Sequence, residues 1–289
     1  MDALEYCRQK VAPEGSSLYY ALLFAPQAQK PALTALAAYR AELLEIPHEV
    51  SEAGVGAVKL NWWQEELGRL REGQPRHPVT QALEASMPGE LLASDALDGV
   101  IEACRMDLEY GRYPTLRELT LYCHRAGGGI ADMAWRLGDE AGADAAPFAH
   151  DLSMGLELTR IIRHLRRDLL AGRVYIPEDE LLAAGLSVET LMSEEAESAR
   201  TALIGRQAER ARRFLDNAIA QLSDNGRRNQ RYGLILAVLY RDWLDRLAQD
   251  GYPILERQQH LTPLRKLFAA WKTAWRPRSV KPGPKETTS

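Results

Sequence analysis

The sequence predicts an all-α fold, and three observations support this prediction. Apolar residues recur at helical spacing through most of the chain, no long segment alternates apolar and polar residues, and the connections are short and contain Pro, Gly or Asp. The chain has 289 residues, of which 46% are hydrophobic, so it can bury a substantial core. We expect about nine or more helices in one domain over residues 1–275.

The predicted helices follow one another along the whole of this domain. Their apolar sides run over residues 32–44, 55–70, 97–108, 116–137, 158–169, 203–222 and 234–247, with a last helix over 263–275. Pro31 can start the first of them, and a short helix follows Pro177 and ends near Gly185. No internal repeat and no flexible interdomain linker interrupt the series.

Three consecutive glycines, 127-GGG-129, lie inside the fourth of these helical patterns. Each glycine costs a helix about 1 kcal/mol relative to alanine. The triplet is therefore either a helix break or a place where another helix or a bulky apolar ligand approaches the backbone closely.

Composition excludes several classes of protein. A net charge of −4, with no strongly basic domain, argues against bulk nucleic-acid binding. The three cysteines show no metal-binding spacing and are expected to be small buried residues in a reducing compartment. With neither a signal peptide nor an apolar run that could span a membrane, we expect a cytoplasmic protein that could lie at the periphery of the inner membrane. Residues 276–289 are basic and Pro-rich and are predicted to form a disordered tail.

The segment 157–170 poses the main functional question. Its apolar residues share one side of a helix, and the opposite side carries Arg160, Arg163, His164 and Arg167, with Glu157 and Asp168 at the edge. Charge runs usually face water, so one alternative is a solvated surface. The other is that these residues line a site for an anion.

Several stretches, in this order and at these separations, resemble the squalene/phytoene synthase family. They are 16-SSLYYALLFAP-26, 60-LNWWQEEL-67, 77-HPV-79, 105-RMDLEYGRYPT-115, 121-LYCHRAGGG-129, 158-LTRIIRHLRRDLLAGRVYIP-177 and 263-PLRKL-267. The resemblance implies an isoprenoid-synthase-type helical bundle around a central cavity. It also implies Mg²⁺ as the cofactor and the head-to-head condensation of two prenyl diphosphates through a cyclopropyl intermediate.

The sequence departs from this family where the resemblance implies two aspartate-rich motifs. The first motif falls on 43-LLEIP-47, where Leu43, Leu44 and Pro47 cannot ligate a metal. The second falls on 164-HLRRD-168, which retains only Asp168. Glu42 and Glu45 lie nearby, and Pro47 is expected to interrupt the turn that would bring Glu45 and Glu49 together. Asp168, Glu42 and Glu45 are thus the metal-ligand candidates, and we predict that no cofactor binds unless the protein is an active, Mg²⁺-dependent enzyme.

The run 39-YRAELLEIPHEVSEAGVGAVKLNWWQEEL-67 is most similar to the non-catalytic branch of the family. This branch includes the mitochondrial complex I assembly factor with a squalene/phytoene synthase domain. The resemblance implies a pseudoenzyme that acts by binding, with a respiratory-complex subunit as one partner and a prenyl diphosphate or polyprenyl lipid as another.

The resemblance also places the polar side of the 157–170 helix in the central cavity. Arg160, Arg163, His164 and Arg167 would then form a cationic pocket that holds a diphosphate without metal. The remaining cavity candidates are Ser16, Ser17, Tyr20, Arg40 and Tyr175. Tyr20 and Tyr175 could wall a carbocation, or they could be ordinary buried tyrosines.

The segment 264-LRKLFAAWKTAWRPR-278 is basic and carries Trp271 and Trp275 on one helix face. It could contact a membrane surface or a partner, or it could pack on the bundle.

Three functions remain open at this stage. The first is a catalytically degenerate family member that acts by binding. The second is an active head-to-head prenyltransferase making squalene or phytoene, with Glu42, Glu45, Asp168 and also Asp107 or Glu109 as ligands. The third is another transferase or lyase that uses the cationic pocket without Mg²⁺.

Overall fold

The computed structural model describes residues 2–50, 52–138, 145–256 and 258–275, and most of these residues are helical. These residues form fifteen α-helices and one π-helix, and their only β pairing is a single bridge between Arg112 and Val174. The all-α prediction is confirmed. The predicted tail over 276–289 lies outside the described residues.

The helices are numbered in chain order. In the first half they are α1 (Ala3–Val11), α2 (Ser17–Phe24), α3 (Lys30–Glu49), α4 (Ala53–Arg71), α5 (Pro78–Ser86), α6 (Gly89–Leu92), α7 (Ala96–Glu109), α8 (Leu116–Cys123), the π-helix (His124–Gly128) and α9 (Gly129–Arg136). In the second half they are α10 (Ala145–Leu170), α11 (Glu178–Ala183), α12 (Glu197–Gln221), α13 (Asp224–Asn229), α14 (Arg231–Gln249) and α15 (Pro263–Trp275).

Two apolar cores hold the bundle together. One joins α1, α3, α4, α5 and α7, and the other joins α8, α10, α12 and α14, with Leu44 of α3 packed against both. Helices α2 and α15 pack on α14 and close one side of the bundle. The long helix α10 packs along α12 and also contacts α8, α9 and α14, so its side chains reach the interior over several turns.

Helix α3 continues through Pro47, so the interruption predicted there is wrong. Proline has no N–H, and the carbonyl of Leu43, four residues earlier, loses its helical donor. The buried thiol of Cys104 on α7 donates to that carbonyl at 3.2 Å and satisfies it. Arg173 also donates to the carbonyl of Pro47, which fixes the end of α3 against the segment after α10.

The three glycines form a continuous helical passage through a π-turn, and the alternative of a helix break is wrong. A Cβ on Gly129 would lie 2.8 Å from the carbonyl oxygen of Ala96, and one on Gly127 would lie 3.3 Å from Glu157 Oε1. The glycines therefore allow α7 and α10 to approach this segment closely, as the second alternative proposed.

The cysteines and the helix lengths test two further predictions. Cys7, Cys104 and Cys123 are buried free thiols, as their spacing predicts. Within the described ranges, every helix is too short or too polar to cross a bilayer.

Candidate functional site

A cavity of about 490 Å³ lies between α3, α9, α10 and α14, and residues from α1, α2 and α15 complete its lining. Along α10 the lining changes in character. Phe148, Leu152 and Leu156 present apolar side chains, whereas Glu157, Arg160, Arg163 and His164, further along the helix, are polar. Helix α10 rises about 1.5 Å per residue, so the apolar and polar ends of the lining, Phe148 and His164, are about 24 Å apart along the helix.

Other helices extend the apolar part of the wall. Leu18 of α2, Ile130 and Ala134 of α9 and Leu236 of α14 all line it. Gly233 lets α14 pack closely against α10 here, because a Cβ there would lie 2.8 Å from Leu152 Cδ2 and 3.3 Å from Phe148 Cζ. The wall is thus suited to a hydrocarbon chain.

The polar part of the wall is mostly cationic. Its basic side chains are Lys10, Arg40, Arg160, Arg163 and Lys266, and they come from four different helices. Glu157 is the one carboxylate among the residues that line the cavity. The excess of cations in the lining favours an anion at this end of the cavity.

Glu157 is buried and holds two of these arginines in place. Arg40 pairs with its Oε1, and the Nε of Arg160 lies 2.9 Å from its Oε2. Arg40 also donates to the carbonyl of Ala126 at 2.9 Å, beside the π-helix, and Arg160 donates to the hydroxyl of Tyr122 at 3.0 Å. The guanidinium of Arg160 therefore has a fixed position at the cavity wall.

Arg163 differs from these two arginines because it has no acidic partner. Within the described ranges no carboxylate lies within 4 Å of it, and its guanidinium stacks on the Trp243 ring at 5.8 Å from the centroid. Lys266 of α15 donates to the carbonyl of Gly15 at 2.8 Å. Burial, and then the charge of Arg163, lower the pKa of Lys266. Arg163 is the strongest candidate to bind an incoming anion.

His164 is neutral at physiological pH. Burial, and then the positive charges of Arg167, Arg160 and Arg163, together lower its pKa to about 3. Burial, and then the charges of Arg167, Arg173 and Arg160, also lower the pKa of His48 on α3 to about 4. An anion bound beside His164 would offset the positive charges of the arginines and so raise its pKa.

Six of the predicted cavity residues lie in the lining: Ser16, Ser17, Arg40, Arg160, Arg163 and His164. Ser16 also accepts a hydrogen bond from the backbone N–H of Tyr19 at 3.0 Å and so caps α2. The other three, Tyr20, Arg167 and Tyr175, lie outside this lining.

Each of these three has a structural reason for its position. Tyr20 packs against Ile235 and Leu239 of α14. Arg167 is half-exposed and pairs with the neighbouring Asp168 at 2.8 Å. Tyr175 is buried, and its hydroxyl donates to Asp107 at 2.8 Å. Tyr175 does not line the cavity itself. It contacts Arg160, which does, and the Arg160 guanidinium lies 5.4 Å from the centroid of the Tyr175 ring.

The sequence interpretation missed several lining residues. Lys10, Lys266 and Tyr240 lie far apart in the sequence, and no spacing links them to α10. Tyr122, which holds Arg160, follows the usual pattern of an apolar helix face and carries no separate signal. Glu157 is at the edge of the predicted polar face, three residues before Arg160, but it is not among the predicted cavity candidates.

The residues at the two motif positions do not fit a magnesium site. Glu42 accepts a hydrogen bond from Tyr6 at 2.6 Å, and Glu45 pairs with Lys10 at 2.6 Å. Asp168 is buried beside Arg167, and burial raises its pKa. The described residues contain no group of three or more His, Cys, Asp and Glu side chains that could hold a metal ion. The neighbouring arginines would also repel a divalent cation.

Asp107 is not an alternative ligand either. It is buried and accepts hydrogen bonds from Tyr113 at 2.9 Å and from Tyr175 at 2.8 Å. Burial raises the pKa of this carboxyl group. Asp107 thus holds the tyrosine cluster behind Arg160.

The all-α bundle and its enclosed cavity define an isoprenoid-synthase-type fold, and comparison with solved structures agrees. A dehydrosqualene synthase crystallised with a ligand superposes with a TM-score of 0.77 at 21% identity, covering 94% of this chain and 95% of that one. A squalene synthase of Alicyclobacillus acidocaldarius gives a TM-score of 0.71 at 20% identity, covering 86% and 94%. At these identities the likeness establishes the fold.

The family follows from the sequence comparison. The model of the squalene/phytoene synthase family matches residues 11–266, and the chain belongs to this family. It is 28% identical over 281 residues to a 15-cis-phytoene synthase of Synechococcus elongatus, covering 92% of this chain and 90% of the relative. A 15-cis-phytoene synthase of Synechocystis is 27% identical over 289 residues, with 94% and 86% covered. The predicted family is confirmed, whereas the particular resemblance to the non-catalytic complex I branch stays a prediction.

Proposed function

We propose that the cavity binds an isoprenoid diphosphate, and that its arginine and lysine side chains neutralise the diphosphate in the place of Mg²⁺. The observation that carries this proposal is the composition of the wall, in which five basic side chains and a single carboxylate line the cavity together with an apolar stretch on α2, α9, α10 and α14. The hydrocarbon chain would lie along the apolar part of α10, and the diphosphate would lie against Arg160 and Arg163.

The arginines have the chemistry that this role needs. A guanidinium group binds two phosphate oxygens at once, and it keeps its charge when it is partly buried. Arg40 and Arg160 already share Glu157, so their hydrogen-bond donors are partly used. Arg163 brings a full positive charge that no carboxylate offsets among the described residues. We therefore assign the main diphosphate contact to Arg163.

Titration with farnesyl diphosphate tests this assignment. We expect Arg163→Gln to weaken binding by about tenfold or more, because it removes a charge-assisted hydrogen bond to phosphate. Arg206→Gln is the matched control, since Arg206 is exposed on α12 and does not line the cavity. Equal affinities for the Arg163 and Arg206 variants, or no binding by the unmodified protein, would contradict the proposal.

Head-to-head condensation of two prenyl diphosphates is the second candidate function. The names of the relatives favour it over a catalytically inactive protein, since several of them are phytoene synthases. The residues at the motif positions favour binding without Mg²⁺, because Glu42 and Glu45 are occupied by other partners and Asp168 pairs with Arg167 through its Oδ1. The third candidate is another transferase or lyase that acts without Mg²⁺, and it would bind its substrate through the same basic side chains of the cavity wall.

Product analysis separates the candidates. The purified protein is incubated with farnesyl and geranylgeranyl diphosphate, Mg²⁺ and NADPH, and products are followed by mass spectrometry. Squalene, phytoene or their cyclopropyl diphosphate precursors would establish the condensing enzyme, and binding without these products supports the binding role. The predicted part in complex I assembly would be tested by deletion, which should lower complex I activity and leave isoprenoids unchanged.

A further inference from the structure

Helix α15 exposes an apolar face that no other part of the described chain covers. Its members are Leu264, Leu267, Phe268, Trp271 and Trp275, all of them exposed. At 3.6 residues per turn they fall within an arc of about 100° on one side of the helix. Lys266 and the buried Ala270 lie on the other side, where Lys266 lines the central cavity.

A basic groove of about 450 Å³ runs beside this face, between α15, α14, α13 and the end of α12. Its charged lining consists of Arg227, Arg228, Arg241, Arg265 and Lys272, with Asp242 and Asp245. Its apolar lining includes Leu234, Val238 and Phe268, and Phe268 also belongs to the exposed face of α15. The groove thus continues the exposed face and adds positive charge at its edge.

Some of these cations are already paired, and others are free to bind an anion. Arg265 makes two hydrogen bonds with Asp242, and Arg241 pairs with Asp216 at 3.1 Å. Arg228 and Lys272 are exposed, and in the described part of the chain neither lies within 4 Å of a carboxylate. Helix α15 contains no acidic residue, and the sequence after it adds Arg276, Arg278, Lys281 and Lys285.

An exposed apolar stripe with two tryptophans and bordering cations matches the chemistry of an anionic bilayer surface. The apolar side chains enter the boundary between headgroups and acyl chains, tryptophan favours that depth, and lysine and arginine bind headgroup phosphates. A second copy of the chain fits this surface poorly, because a two-fold interface would bring the same basic groups together.

We propose that α15 and its basic groove dock this protein on a membrane surface that contains anionic phospholipids. The face formed by Leu264, Phe268, Trp271 and Trp275 enters the bilayer boundary, and Arg228 and Lys272 contact the headgroup phosphates. Because Lys266 of the same helix lines the cavity, docking places the cavity beside the membrane. This inference does not depend on the ligand proposed for the cavity.

Co-sedimentation of the full chain with vesicles tests the proposal. We expect binding to vesicles of phosphatidylcholine with phosphatidylglycerol, weak binding to phosphatidylcholine alone, and weaker binding as salt is raised. The double variant Leu264→Glu, Phe268→Glu should weaken binding by about tenfold or more. The variant Arg228→Glu, Lys272→Glu should weaken it by about fivefold for each positive charge removed.

Matched controls keep each comparison specific. Leu182→Glu with Val58→Glu introduces the same charges at side chains that are 73% and 69% exposed, against 79% for Leu264 and 61% for Phe268. Arg117→Glu is the control for the charge reversals, since Arg117 is exposed on α8. Thermal unfolding followed by circular dichroism establishes that each variant is folded.

Three results would overturn the proposal. The first is no binding to anionic vesicles, and the second is equal loss of binding in the test and control variants. The third is a concentration-dependent dimer, measured by sedimentation equilibrium, that Leu264→Glu, Phe268→Glu abolishes while vesicles remain unbound, because α15 would then be an interface between copies.

Discussion

Glu157 shows how a single buried carboxylate organises the cationic wall. It pairs with Arg40 from α3 and with Arg160 from its own helix, so it joins two helices and shares its single negative charge between two arginines that face the cavity. Gly127 leaves room for it, since a Cβ there would approach its Oε1. The remaining positive charge is thus placed at Arg163 and Lys266, further towards α15.

The substitution Glu157→Gln should lower the free energy of unfolding by about 2–4 kcal/mol, because two largely buried arginines lose their shared counterion. Urea denaturation measures this loss. The control is Glu49→Gln, since Glu49 forms an exposed pair with Lys59 that should contribute less than about 1 kcal/mol. Similar losses for the two variants would show that Glu157 does not have this organising role.

His164 should make stability depend on pH. Its pKa in the folded protein is about 3, below the value of about 6.5 expected in the unfolded chain. Between pH 3 and pH 6.5 the unfolded state binds more protons than the folded state. The contribution of His164 to the free energy of unfolding is therefore fully present above pH 6.5 and is lost as the pH falls towards 3. The variant His164→Gln lacks this titrating group, so only the unmodified protein loses this stability as the pH falls. The difference in free energy of unfolding between the two proteins should therefore decrease by up to about 1.4 kcal/mol per pH unit.

Urea denaturation at a series of pH values between 7 and 4 measures that difference. The exposed His260→Gln serves as the control variant. A stability difference for His164→Gln that stays constant over this range would contradict the low pKa of His164.

At the scale of elements, the sequence predicted the positions of helices better than their irregularities. The apolar spacing located α10 and α14 because those helices bury one face against the cores. The course of α3 through Pro47 depends on a thiol from α7, and the π-turn depends on how closely α7 and α10 approach. Both are tertiary contacts that local spacing does not contain.

The close approach of α7 makes Gly129 sensitive to a single methyl group. Gly129→Ala should destabilise the protein by about 1–3 kcal/mol, because the new Cβ would meet the backbone of Ala96, which cannot move aside like a side chain. Gly68→Ala is the matched control, since no atom lies within 4 Å of a Cβ there. It should stabilise α4 by up to about 1 kcal/mol. Thermal unfolding of both variants measures the two effects, and a loss for Gly68→Ala as large as for Gly129→Ala would contradict this account.

At the scale of the whole molecule, the sequence predicted the all-α bundle and the polar side of α10. It could not predict the full cavity wall, because Lys10, Lys266 and Tyr240 reach the cavity from separate ends of the chain. Tyr20 and Tyr175 were reasonable candidates as aromatic wall residues, but α14 and Asp107 hold them elsewhere. Which tyrosine faces a cavity is decided by packing between helices.

The central claim is that cations of the cavity wall replace magnesium in binding an isoprenoid diphosphate. The most direct test is calorimetric titration of the unmodified protein with farnesyl diphosphate, once in EDTA and once with Mg²⁺. The wall described here predicts binding in EDTA with an affinity that Mg²⁺ does not improve, since Arg160 and Arg163 need no metal to bind phosphate oxygens. Binding that appears only when Mg²⁺ is added would contradict the claim and would favour a metal-dependent synthase.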